Sequence, residues 1–212
     1  MNFYYSTAGT SLPSLRRDWL QRMGGTALAP ALTSSTLVNA APAPTTAKAG
    51  PRANYFPNSV LNTHDGRKLR FYDDVILGKT VVFNMMYSVC TGICPSNTVN
   101  LMRVQEALGD RLGKDVFMYA MTLQPEFDSP QALQEYVKRY SIKPGWTFLT
   151  GKPKEMDDIR RKLGFYNGDP TIDADLANHT GMLRIGNEAL DRWAMMPALA
   201  SPKQIARAIL QF

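Results

Sequence analysis

Apolar and polar positions fall into regular patterns from about Tyr55 onward, where strand-like and helix-like periods alternate. "VLNTHDGRKLRFY" holds two short strand-like runs about Asp65-Gly66, a turn dipeptide, and predicts a β-hairpin. "TVVFNMMY" (80–87) is a continuous apolar, β-branched and aromatic run, as expected of a buried central strand. From Ser96 to Leu112 a stripe of Val99, Met102, Val104, Leu108 and Leu112 predicts a helix that closes near Gly109-Asp110. "DVFMYAMTL" (115–123) and "WTFLT" (146–150) predict two further core strands. Between them, "SPQALQEYVKRY" (129–140) reads as a helix capped by Ser129, with Pro130 in its first turn and Leu133, Val137 and Tyr140 on one face. "KEMDDIRRKLG" (154–164) predicts a helix stopped by Gly164. After a polar loop, "GMLRI" and "LDRWAMM" are expected to pair about Gly186-Asn187, and "SPKQIARAIL" (201–210) to form a terminal helix.

This order predicts an α/β domain: a mixed central sheet with flanking helices and an N-terminal β-hairpin. The succession of elements is thioredoxin-like. About 158 residues, 55–212, suffice for one domain with a full core.

The first forty residues have another character. Arg16-Arg17, Asp18, Trp19 and Leu20 match a twin-arginine export signal, and the mildly apolar stretch that follows ends in small residues at 38–43. A membrane-spanning anchor needs about 20 apolar residues, and Pro30, Thr33, Ser34, Ser35, Thr36 and Asn39 interrupt this one. The expected organisation is a signal peptide at 1–40, a Pro/Ala/Thr-rich linker at 41–54 and the domain at 55–212. The expected compartment is the periplasm, reached through the twin-arginine machinery, with no stable membrane anchor. Cleavage after Ala40 removes Arg16, Arg17, Arg22 and Asp18 and lowers the net charge from +6 to +4. So small and dispersed an excess argues against nucleic acid as a partner.

Both cysteines lie in "YSVCTGICPSN" (87–97), with three residues between them. They follow a strand and precede a helix, where the helix N-terminus favours a thiolate. A spacing of four places both sulfurs on one helical face. The pair can therefore exchange disulfides, form a structural bridge or hold a soft ion, although a five-residue loop gains little stability from a bridge. His64, before Asp65-Gly66, reads as an exposed turn residue. His179 lies where a thioredoxin-like fold brings a loop against the cysteine turn. Cys90, Cys94 and His179 are thus the candidate metal ligands. Two thiolates and an imidazole suit Cu(I) and can hold Cu(II), whereas structural zinc would need a fourth protein ligand. Cys90 and Cys94 are equally the candidate redox pair of a thiol reductase.

"GKTVVFNMMYSVCTGICPSNTVNLMRVQEAL", "MTLQPEFDSPQALQEYVKRY", "WTFLTG" and the later His179 together resemble the Sco (SenC-like) family of thioredoxin-fold copper chaperones for cytochrome c oxidase assembly. The similarity runs from about Tyr55 to Leu210. It implies copper bound by Cys90, Cys94 and His179, and delivery to a copper enzyme such as the copper-site subunit of the oxidase, with or without reduction of that site's cysteines. It implies a carrier more than an enzyme, with thiol-disulfide reduction as the alternative. The sequence departs from the family at Thr91-Gly92-Ile93, where Pro-Asp-Val is common, and at Gln124, where an aspartate is usual. Since no anchor is expected, a soluble exported copper enzyme is an alternative client.

Other features read as structural. Met85, Met86, Met195 and Met196 are expected in the core, Trp193 and Tyr87 in the core or its rim, and Arg160-Arg161-Lys162 on the wet face of a helix. Asp169, Asp173 and Asp175 are read as solvating a loop, with support of the His179 ring as their alternative role.

Overall fold

The computed structural model describes residues 50–212. The twin-arginine signal and residues 41–49 of the expected linker lie outside the described residues. No helix among the described residues is long and apolar enough to cross a membrane.

Seven strands form one mixed sheet: β1 (Val60–Thr63), β2 (Lys68–Arg70), β3 (Thr80–Met86), β4 (Val116–Thr122), β5 (Trp146–Thr150), β6 (Met182–Asn187) and β7 (Arg192–Pro197). Their spatial order is β2-β1-β5-β4-β3-β6-β7. The central β3, β4 and β5 run parallel, and β1–β2, β1–β5, β3–β6 and β6–β7 are antiparallel. The expected N-terminal hairpin is β1–β2, and the sheet has the thioredoxin-like arrangement.

The apolar runs are continuous because the central strands are covered on both faces. Val82 and Met86 of β3 point into one core with Leu101, Leu133, Trp146, Phe148 and Ile205. Val81, Phe83 and Met85 point into the other, with Phe71, Met121, Leu149, Met156 and Ile159. Helices α1 (Cys94–Leu108), α2 (Pro130–Arg139) and α5 (Pro202–Ile209) cover the first face. Helix α3 (Pro153–Lys162) and a π-helical segment at Phe71–Ile76 cover the second. The helix starts follow local chemistry. Ser129 and Ser201 each accept a backbone N–H and are each followed by proline in the first turn, with Gln204 completing a capping box on α5.

Several expectations need correction. Helix α1 begins at Cys94, two residues before the expected start, and Val99 is exposed. Its buried face is Cys94, Asn97, Thr98, Leu101, Val104, Gln105 and Leu108. Three of those residues are polar: Thr98 meets the Tyr136 hydroxyl at 2.7 Å, Gln105 donates to the carbonyl of Lys143 at 2.7 Å, and the Asn97 amide donates to the Thr180 carbonyl while its Oδ1 is buried without a partner. The turn after β6 lies at residues 188–191, not at Gly186-Asn187. Gly186 is paired with Trp193 within the strand, and a Cβ there would stand 2.2 Å from the indole. His64 is half-buried: its Nδ1 accepts from the backbone N–H of Phe148 at 3.1 Å and ties β1 to β5. The polar loop before β6 contains a short helix α4 (Pro170–Asp173) and a 3-10 turn (Leu176–His179). Residues 50–52 pack on the domain, where buried Glu188 accepts from the Arg52 backbone and the Tyr72 hydroxyl.

Candidate metal centre

Strand β3 ends at Met86, and residues 87–93 carry the chain to the first turn of α1. The turn is closed by the Cys90 N–H donating to the Tyr87 carbonyl at 3.1 Å. It is anchored from outside by Asp128, a fully buried carboxylate that accepts from the backbone and hydroxyl of Ser88 and from Thr122. Both cysteines are free thiols, Cys90 part-exposed and Cys94 buried.

The two sulfurs share a hydrogen bond, and their environments drive them apart. Burial opposes the Cys90 thiolate. Hydrogen bonds from the Cys94 thiol, the Tyr87 hydroxyl and the amides of Cys94 and Gly92 outweigh that and bring its pKa below the ordinary thiol value. Cys94 is pushed up to about 12 by burial and by its bond to Cys90. Tyr87 is also pushed up to about 12, first by its hydrogen bond to Cys90 and then by burial. Cys90 is therefore the more readily ionised of the two thiols, with Cys94 and Tyr87 as neutral donors to it.

His179 ends the 3-10 turn that Asp175 caps, and is buried. The next residue touches the cysteine helix: the Asn97 amide donates to the Thr180 carbonyl at 2.6 Å, and the Thr180 side chain hydrogen-bonds Cys94. The His179 ring is held from the other side. Its Nε2 lies 2.8 Å from the Asp173 carbonyl oxygen and 3.3 Å from Arg160 Nη1, at the wall of a cavity of about 500 Å³. Arg160 is buried and paired with Asp173 and Asp157, which corrects its reading as part of a wet face; Arg161 and Lys162 are exposed as expected. Asp173 is buried rather than loop-solvating, and Arg160 holds its carboxyl far below the usual carboxylate range against the opposing effect of burial. Asp169 and Asp175 cap the short helical turns.

The structure thus brings Cys90 and Cys94 together and sets the His179 turn against them through Thr180. Among the described residues, no three histidine, cysteine or carboxylate groups converge closely enough to hold one ion. The paired thiols and the imidazole are soft and borderline donors suited to a thiophilic metal, and the third donor completes a set only if its turn shifts. Met85 and Met86 are core residues, while Met195 and Met196 are part-buried on β7. Sequence reasoning missed Asp128 and Asn97. Asp128 had a signal, an acid directly before a Ser-Pro helix start. Asn97 had none.

The fold and site define a thioredoxin-like protein whose CxxxC dithiol opens the first long helix. Residues 52–212 match the family model described as SCO1/SenC, so the chain belongs to that family. Among curated relatives, the SCO1 homolog 1 of Arabidopsis thaliana is 28% identical over 102 residues, 48% of this chain and 29% of that protein. The sco1 protein of Schizosaccharomyces pombe is 27% identical over 125 residues, 57% of this chain and 46% of that protein. The matched stretch is thus less than half the length of either. Copper-bound ScoI of Bradyrhizobium japonicum superposes with a TM-score of 0.57 at 20% identity, covering 72% of this chain and 96% of that one. BsSco, a Sco-family cytochrome c oxidase assembly protein with a disulfide switch, gives 0.58 at 17% identity, covering 74% and 92%. At these identities the solved structures establish the fold.

Proposed function

We propose that this protein is an exported copper carrier. It takes up Cu(I), and can hold Cu(II), through Cys90, Cys94 and His179, and passes the ion to a copper enzyme: the copper-site subunit of an oxidase or a soluble exported enzyme. In this reading residues 1–40 are a twin-arginine signal, 41–54 link it to the domain, and the mature protein works in the periplasm. The observation that carries the reading is the contact between the two thiols at the start of α1, with the Thr180 end of the histidine turn latched to the same helix. Family membership supports it, as do the copper-bound relatives of the same fold. Copper bound there is cargo, and the protein's part is to supply two sulfurs and one nitrogen, exclude further ligands by burying Cys94, and release the ion to a better site.

A second reading has its own support, the inequality of the two thiols. A Cys90 thiolate can attack a client disulfide, forming a mixed disulfide and releasing one client thiolate. Cys94 then gives up its proton and attacks the Cys90 sulfur, which releases the second client thiolate and leaves a Cys90–Cys94 disulfide. Titrating Cu(I) against a competing chelator with the wild type, Cys90→Ser and Cys94→Ser tests the carrier reading. One tightly held ion is expected in the wild type and none in either variant. Full retention by a single-cysteine variant would show the ligand set to be wrong.

A further inference from the structure

The Arg160 side chain is only 9% exposed, and each of its N–H groups has an oxygen to serve. Nε donates to Asp157 Oδ1 at 2.9 Å. Nη2 donates to Asp157 Oδ1 at 2.6 Å and to Asp173 Oδ2 at 2.9 Å. Nη1 donates to the Phe165 carbonyl at 2.6 Å and to Asp173 Oδ1 at 2.9 Å. A guanidinium has five N–H groups and no acceptor, so all five are committed. The further contact from Nη1 to His179 Nε2, at 3.3 Å, is the longest of the set and could only be shared with one of these shorter bonds. The Asp173 carbonyl oxygen, 2.8 Å from the same Nε2, can only accept. Nε2 must therefore carry the proton. In the neutral ring that leaves Nδ1 with its lone pair, and among the described residues Nδ1 has no hydrogen-bond partner.

We propose that Arg160 and Asp173 are positioning residues for His179: they fix the Nε2–H tautomer and present Nδ1 as the nitrogen that meets the metal. The tautomer follows from the donor count, while the role of Nδ1 rests on the copper reading above. Asp173 is in turn anchored by the Asn167 N–H at 2.8 Å and Arg161 Nη2 at 2.7 Å, so the carbonyl facing the imidazole is fixed from α3. A histidine ligand that donates its other N–H to a carbonyl or carboxylate gains both orientation and basicity. A lysine at position 160 would keep the charge but could not span Asp157 and Asp173 from one planar group.

Long-range ¹H–¹⁵N spectra of metal-free wild type with labelled histidine test the first part directly, without any variant. Nε2 should be protonated and Nδ1 should not. In Arg160→Lys the ring should populate both tautomers, and Cu(I) affinity in chelator competition should fall about 10- to 100-fold. Exchange between the Cys90–Cys94 pair and a small dithiol should be unchanged. An Nδ1–H ring in the wild type would overturn the inference. So would copper found on Nε2, or an Arg160→Lys variant with tautomer and affinity intact. If the wild type took up no copper, the carrier reading would fall, and the metal-free spectrum would still decide the tautomer.

Discussion

Ser88 and Asp128 lie forty residues apart in sequence, yet the Asp128 carboxylate accepts the Ser88 backbone N–H at 3.1 Å and its hydroxyl as well. The same carboxylate takes the Thr122 hydroxyl at the end of β4. A fully buried acid thus binds the turn that carries Cys90 to the neighbouring strand, with hydrogen-bond donors in place of a cation.

Asp128→Ala should therefore do more than weaken the fold. Removing the shared acceptor leaves buried donors unsatisfied, which costs about 1–3 kcal/mol, so urea unfolding should show a loss of at least that size. The freed turn should also blunt the difference in reactivity between Cys90 and Cys94. A variant of wild-type stability would mean that the Ser88 contacts contribute nothing.

The thiols should separate by pH. Alkylation requires the thiolate, and an ordinary cysteine ionises near about 8.5. Cys90, lowered from that range, should react with iodoacetamide at a lower pH than a free thiol does, while Cys94, pushed up to about 12, should stay protected until the protein unfolds. The sign for stability follows from Cys94. The folded chain keeps its proton where the unfolded chain loses it, so this residue's contribution falls as pH rises above about 8.5. Peptide mapping after timed alkylation checks the order, and faster labelling of Cys94 would refute it.

The strands were legible because β3, β4 and β5 are covered on both faces and so spell unbroken apolar runs. The cysteine pair was legible from spacing and position alone. Helix α1 was misread in phase because Asn97, Thr98 and Gln105 sit on its buried face, where their partners come from distant segments that periodicity cannot reveal. Arg160 was misread for the same reason. Its partner Asp173 lies thirteen residues on, in a loop whose short helices follow from Asp169 and Asp175 capping and not from an apolar pattern. Gly186 looked like a turn residue, although what requires a glycine there is the Trp193 ring across the ladder.

Asp173→Asn should show how much of the histidine turn depends on its ion pair. Breaking a buried pair costs about 3–5 kcal/mol, and Asp157 still serves Arg160, so a loss near the lower end is expected at neutral pH. The Asp173 pKa is depressed in the folded state, first by the Arg160 hydrogen bonds. Its stabilisation is therefore fully present above the unfolded value of about 3.9 and is lost as pH falls below it. Melting curves of wild type and variant should converge on acidification. A gap that stayed constant from neutral to strongly acidic pH would contradict the ion-pair account.

The carrier and the reductase part company at His179. Copper(II) held by two thiolates and an imidazole should show an intense sulfur-to-copper charge-transfer band, because thiolate donates strongly to that ion. His179→Ala removes the nitrogen and leaves the Cys90–Cys94 contact, the Tyr87 hydroxyl and the helix N-terminus in place. The variant should bind copper far more weakly or lose the Cu(II) band, while exchange with a small dithiol continues. Cells carrying it should yield a copper-deficient client enzyme that added copper partly restores. Cys90→Ser should abolish both copper binding and exchange. If His179→Ala matured the client normally while Cys90→Ser did not, the imidazole would have no part in the task. The protein would then act on its client by thiol-disulfide exchange through Cys90 and Cys94.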